Sequence, residues 1–188
     1  MAYELVTAPT TEVITLEQAK LHLKVDTSAD DDLITMLIMA ARNRYEGPYG
    51  IYGSAFLTQT WDYFADSFPA TGLEITFGPV QSVEEVGYSD SSGNTVVMDP
   101  SAYQVDKVSV PARIVIPGTV PVSSGLNSVK VRLKVGYGDT ADKVPPLVVQ
   151  VMLVAIGYWY ANRGGYGSSN FPAWIDQLGL PAKRRWAM

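Results

Sequence analysis

The chain has 188 residues, a mass of 20.4 kDa and no cysteine, enough for one well-packed domain but excluding disulfides, thiolate metal sites and cysteine nucleophiles. Its formal net charge is -5, its pI about 4.8 and only 18% of its residues are charged, so the totals exclude a protein that grips nucleic acid through a broad cationic face. The charge is uneven: residues 1–50 hold four cations against eight anions, and residues 164–188 hold three cations against one anion.

The opening MAYELVTAPT has no cationic stretch and no apolar run before a small-residue cleavage site, so it does not read as a signal peptide and synthesis is expected in the cytoplasm. In ITLEQAKLHLKV, Thr15 stands three residues before Gln18, the spacing of a capping box, and predicts a short helix from Leu16 to about Lys24. SADDDLITMLIMAARNRYEGP then sets Leu33, Ile34, Leu37, Ile38, Ala41 and Tyr45 at helical spacing. Asp30, Asp31 and Asp32 fall at the positive end of that helix, where they are expected to serve as capping acids. Gly47 and Pro48 should break it, leaving GPYGIYGSAF as a Tyr/Gly loop or an irregular extension of the helix end.

From Phe56 the apolar period changes to two. FLTQTWDYFA, LEITF, SVEEVGYS, TVVMD, YQVD, RIVI and SVKVRLKVGYG read as seven short strands, with SDSSGNT as a hairpin turn built on Gly93 and Asn94. DKVPPLVVQVMLVAIGYWYANRGG returns to helix, starting near Pro145 or Pro146 and stopping at Gly164-Gly165; its apolar run, Leu147 to Ala161, is interrupted by Gln150 and too short for a bilayer. FPAWIDQLGLP offers one or two helical turns before the tail PAKRRWAM. The expected class is α+β: one helical unit, 1–55 plus 140–188, interrupted by a β insertion at 56–139.

No reaction centre emerges. His22 is the only histidine and is expected to pack or lie partly exposed, not to catalyse. The three consecutive aspartates point in different directions on a helix and cannot converge on one ion. DSSGNTVVMDPS lacks the glycine position and final glutamate of a calcium loop; GYGD and GGYG lack the strand-loop-helix context of phosphate loops. Glu84 and Glu85, adjacent on a strand, face opposite ways. Neither cofactor nor metal is expected.

Two patterns suggest contact surfaces instead. Lys130, Arg132 and Lys134 alternate with Val129, Val131, Leu133 and Val135, putting three cations on one strand face. That face is either a solvated one that also discourages edge pairing, or one that meets an acidic neighbouring subunit. Tyr49, Tyr52, Tyr158, Trp159, Tyr160, Tyr166 and Trp174 concentrate aromatics around the third helix, as core, subunit interface or a platform for sugars. Tyr158 and Tyr160 are the candidates there for a subunit interface.

Taken together and in order, ITLEQAKLHLKVD, DDDLITMLIMAARNRYE, LTQTWDYFADSFP, MDPSAYQVD, VRLKVGYGDTADKVPPLVVQVMLVAIGYWYANRG and the closing RRW resemble the head-to-tail connector (adaptor) proteins of tailed bacteriophages and related gene-transfer particles. The resemblance spans nearly the whole chain, departing at GPYGIYGSAF, which is longer and richer in glycine. It implies a small helical connector bundle of two N-terminal helices, one long apolar helix and a C-terminal tail, elaborated by the β insertion. It further implies a non-enzymatic virion protein of the head-tail neck, assembled as a dodecameric ring beneath the portal protein. Such a ring would continue the channel through which genomic DNA passes without specific binding, present a surface to the next neck or tail protein, and involve no membrane. On this reading Lys183, Arg184 and Arg185 pair with portal carboxylates and Trp186 fills an apolar pocket; the residues alone equally allow Trp186 to fold back on its own helices. The competing functions are a carbohydrate-binding β module on a helical stalk and a cofactor-free hydrolase dependent on His22.

Overall fold

In the computed structural model, which describes residues 2–122, 125–163 and 171–179, an α+β chain places four α-helices and two antiparallel sheets in the described residues. Helix α1 (Leu16–Leu23) begins where the sequence requires: the Gln18 N–H donates to the Thr15 hydroxyl at 3.1 Å and the Thr15 N–H donates to Gln18 Oε1 at 3.0 Å. It ends at Lys24, whose left-handed φ of 57° turns the chain. Helix α2 (Asp31–Tyr45) buries Ile34, Ile38, Ala41 and Tyr45, a single stripe at helical spacing.

The acidic triplet works differently from the capping role expected of it. Asp30 occupies the N-cap position but its side chain caps nothing; it accepts instead from Tyr160 Oη at 2.6 Å and Arg163 Nη1 at 3.1 Å. Asp31 receives Lys20 Nζ at 2.6 Å. Two of the three carboxylates therefore tether α2 to other helices, and Asp31 and Asp32 lie in the first turn, favourably placed against the helix dipole.

Helix α3 (Pro146–Ala161) starts at the second of two prolines, where a missing N–H leaves no bond unmade. It is a helix of ordinary length, 16 residues, rather than the long one expected, and it stops at Asn162 before Gly164-Gly165. The Asn162 side chain donates to the Tyr158 carbonyl at 2.7 Å, a local bond that competes with another helical turn. No helix among the described residues is long and apolar enough to cross a membrane. Helix α4 (Ala173–Leu178) is short and buries Ile175. Core residues of the helices, among them Ile34, Tyr45, Val151, Met152, Ile156 and Ile175, form one hydrophobic cluster.

Strand β1 (Ala2–Thr7), where no element was expected, pairs antiparallel with β2 (Gln59–Ala65) and places the first residues of the chain in the β region. The remaining strands overlap the expected segments: β3 (Leu73–Ile75), β4 (Val80–Ser89, beginning two residues early), β5 (Thr95–Val97), β6 (Gln104–Asp106), β7 (Ala112–Val115, beginning one residue early) and β8 (Val129–Val135). The larger sheet has the order β1-β2-β8-β4-β5 and the smaller β3-β7-β6. Val129, Val131, Leu133 and Val135 of β8 are buried on one face, packed with Leu73, Ile75, Ala112 and Ile114 of the small sheet in a second cluster. Because β8 is hydrogen-bonded on both sides, its cations cannot be edge protection.

Residues 46–58 join the two clusters. Tyr52 N–H donates to the Tyr45 carbonyl and Ile51 N–H to the Arg44 carbonyl, so the chain doubles back along the end of α2. Ala55 N–H then reaches the Gly78 carbonyl, Thr58 N–H the Gly138 carbonyl, and Tyr137 N–H the Phe56 carbonyl, all within 3.0 Å. The second half of the tyrosine- and glycine-rich segment is thus a buried seam, with Tyr52, Ala55, Phe56 and Leu57 in the core. At Gly136 a φ of +127° coincides with a Cβ position that would run into the Leu57 carbonyl. Gly136→Ala is expected to destabilise the chain by about 2 kcal/mol or more, since neither backbone strain nor overlap can relax alone; a urea midpoint equal to the wild type would contradict this account of the seam.

Candidate functional site

The described face of the large sheet opposite its core carries the cations expected at a contact surface, and their partners lie within the chain. Asp62 stands opposite Arg132 in the β2–β8 register, and Arg132 donates to it twice, through Nε and Nη2, each at 2.8 Å. Asp62 is only 6% exposed, and the Arg132 guanidinium holds its carboxyl below the usual range. Lys130 Nζ lies 3.1 Å from Glu85 Oε1 on β4 and 3.9 Å from Asp62. Lys134 forms no ion pair among the described residues. This arrangement knits β2, β8 and β4 together on one face, so two of the three cations are already engaged.

The aromatic candidates are used similarly. Tyr160 donates to Asp30, with Arg163 stacked over its ring at 4.0 Å, and Tyr158 meets Phe171 edge-on at 5.5 Å. Trp159 also packs on Phe171, and Tyr52 stacks on Tyr45 at 5.2 Å. Tyr49 and Trp174 stay exposed, at 80% and 55%. Tyr166 and the tail residues Lys183, Arg184, Arg185 and Trp186 lie outside the described residues. His22 is exposed on α1, with Gly157 of α3 opposite its ring.

Two features escaped sequence reasoning. The first is the mounting of α4: Arg44 donates to Asp176 through Nε at 3.1 Å and Nη2 at 2.6 Å, Tyr45 Oη adds a third bond at 2.9 Å, and Arg44 also lies over the Phe171 ring at 4.3 Å. Gly179 closes the mounting, since a Cβ there would overlap the Tyr52 hydroxyl. The second is a cavity of about 340 Å³ between β1 and the last turn of α2, with Leu5, Asn43, Glu46, Tyr49, Gln59 and Trp61 in its lining. At its base Trp61 Nε1 donates to Gln59 Oε1 at 2.9 Å, while Gln59 Nε2 and the Phe56 N–H both donate to Glu46 Oε1 at 2.6 Å. Burial holds the Glu46 carboxyl above the usual carboxylate range, against the pull of the Phe56 N–H, Arg42 and Gln59. The signal available in the sequence was a glutamate directly after α2, at the negative helix end where a carboxylate is unfavourable unless it has other partners.

A family model described as Phage gp6-like head-tail connector protein matches residues 13–106. No curated protein sequence matches the chain. Among solved structures, a chain of the virion of a native gene transfer agent (GTA) particle superposes with a TM-score of 0.68 at 17% identity, covering 99% of this chain and 95% of that one. A chain from the neck of an empty GTA particle, computed with C6 symmetry, gives the same values. One from the neck of a native GTA particle, computed with C12 symmetry, gives a TM-score of 0.69 at 16% identity, covering 99% and 94%. At these identities the likeness is one of fold.

Two substitutions check the electrostatics. Asp62→Ala leaves Arg132 half-buried and unpaired and is expected to lower stability by about 1–2 kcal/mol, less than for a fully buried pair because the guanidinium is partly solvated; an unchanged denaturant midpoint would refute the pairing. Glu46 titrates above the 4.5 of a free side chain, so the folded state binds its proton more readily, and its ionisation subtracts stability as the pH rises from about 4.5 through the raised folded value. Glu46→Gln, which keeps an acceptor oxygen for both bonds, is expected to melt above the wild type at pH 8, with the gap closing towards pH 4.5; a gap independent of pH would refute the assignment.

Proposed function

Because the chain belongs to the Phage gp6-like head-tail connector protein family, we propose that it assembles as a ring in the neck of a virion, beneath the portal protein, where copies of it continue the DNA channel from head to tail. Membership makes it a structural virion component that joins head and tail; the ring, its copy number and its partners are proposed. The family match carries the reading. The fold likeness to neck chains of particles with C12 and C6 symmetry supports a ring, and twelve copies are the number we propose.

Within the subunit, the helices of 1–55 and 140–188 form the connector bundle, and residues 56–139 form an insertion that β1 joins from the N-terminal side. The acidic balance suits a wall past which DNA slides: a net negative ring disfavours phosphate binding without any specific chemistry. Lys183, Arg184, Arg185 and Trp186 pair with the portal, cations to carboxylates and the indole to an apolar pocket. The mounting of α4 supports that role, because it fixes the point from which the tail departs. Lys134, unlike Lys130 and Arg132, keeps its charge available for an acidic neighbouring subunit, and Tyr158 and Tyr160, at the end of α3, lie at a subunit contact on the same reading.

The test is co-purification with a portal ring, using the full chain and a chain lacking residues 181–188. The full chain is expected to be retained and the truncated one to lose at least tenfold in binding, as removal of an aromatic and cationic anchor predicts. Equal retention would remove the tail as anchor and leave the ring; particles imaged without this chain in the neck would remove the connector reading itself.

A further inference from the structure

The cavity between β1 and α2 offers a visitor no free charge among its described walls. Arg42 lies 3.1 Å from Glu12, and Glu46 accepts from the Phe56 N–H and Gln59. Its walls include Leu5 and Tyr49, both exposed, and Trp61. From Asn43 the surface continues along the outward side of α2 through Ala40, Met39, Met36 and Thr35, all exposed and none charged. A surface helix ordinarily presents charged residues to water on that side, and large uncharged patches mark contact sites. At about 340 Å³ the cavity is at the small end for ligand sites, a size for one or two large side chains.

A second uncharged projection lies on the far flank of the same helix end. Trp174 and Leu178, four residues apart on one side of α4, are exposed at 55% and 42%. Helix α4 is held by Arg44, whereas Arg42 and Glu46 line the cavity. At 3.6 residues per turn Arg44 points about 160° away from both, so the projection and the cavity sit on opposite flanks of the last turn of α2. A closed ring needs this kind of pair, since each subunit must offer two different, complementary patches to its two neighbours.

We propose that Trp174 and Leu178 of one copy seat in the β1–α2 cavity of the next, and that this contact, repeated head to tail, closes the ring. The proposal rests on the ring reading above and names the surfaces that make it. Trp174 is the anchor: a large aromatic entering a pocket whose charged groups are already engaged, Arg42 in an ion pair with Glu12 and Glu46 in hydrogen bonds, excludes water over a wide area without stranding a charge.

The absence of native cysteine makes the contact measurable by cross-linking. Asn43→Cys and Gln177→Cys place thiols beside the cavity and beside Trp174 while leaving the anchor intact. Chains carrying one substitution each, co-expressed in assembling particles and treated with a short bismaleimide, are expected to yield covalent dimers at least tenfold above those from Asn43→Cys paired with Val108→Cys. Trp174→Ala added to the Gln177→Cys chain should abolish the excess while its circular dichroism stays that of the wild type. Cross-linking no higher than in the control pair, in particles whose images show a ring of this chain, would overturn the contact and leave the ring standing. Particles in which the chain forms no ring would overturn both.

Discussion

One oxygen of the Glu46 carboxylate holds the seam on which both halves of the structure depend. The helical residues bury their apolar stripe in one cluster and the two sheets share another. What fixes one against the other is the chain from Glu46 to Thr58, and its start is secured by two short bonds to Glu46 Oε1, from the Phe56 N–H and the Gln59 amide. Buried acceptors of this kind matter chiefly through the penalty for leaving the donors unmatched. The acceptor is what the donors need, whereas its charge is a burden, because burial disfavours the ionised carboxyl.

Local patterns made the element types readable. The Thr15–Gln18 box, the stripe ending at Tyr45, the prolines before Leu147 and the period-two segments each depend on residues a few positions apart, and in each case the structure has the corresponding element. Strand β1 was not readable, because Ala2–Thr7 acquires its conformation from β2, some sixty residues away, and four of its six residues stay exposed. The rank of β8 in the sheet was hidden for the same reason: alternation reveals two faces but not how many neighbours a strand has. The candidate contact residues were legible as types and not as partners. Nothing near Arg132 in the sequence announces Asp62, and nothing near Arg44 announces Asp176, yet these pairs determine which charges remain for another molecule.

The low charge content acquires a meaning from these pairs. Asp30, Asp62, Glu85 and Asp176 each meet a cation from a distant part of the chain, and Asp31 one from the preceding helix, which leaves stretches of helix and loop without charge. A protein destined to stand alone in water would ordinarily spread such groups over its surface for solubility. Here they tie elements of the subunit to one another at its half-buried margins, and the uncharged surface is the part turned outward along α2.

The mounting of α4 also has a mechanical side. A pull on the chain beyond Gly179 first meets a two-pronged guanidinium–carboxylate bond, with Ile175 buried behind it and the Tyr52 ring pressed against the glycine backbone. The load passes through Arg44 to the end of α2, one residue from Tyr45 and two from Glu46, and so across the seam into the central strands. Tension at one extremity of the subunit is thereby delivered to the other through stiff, short links, and the joint behaves as a strut instead of a leash.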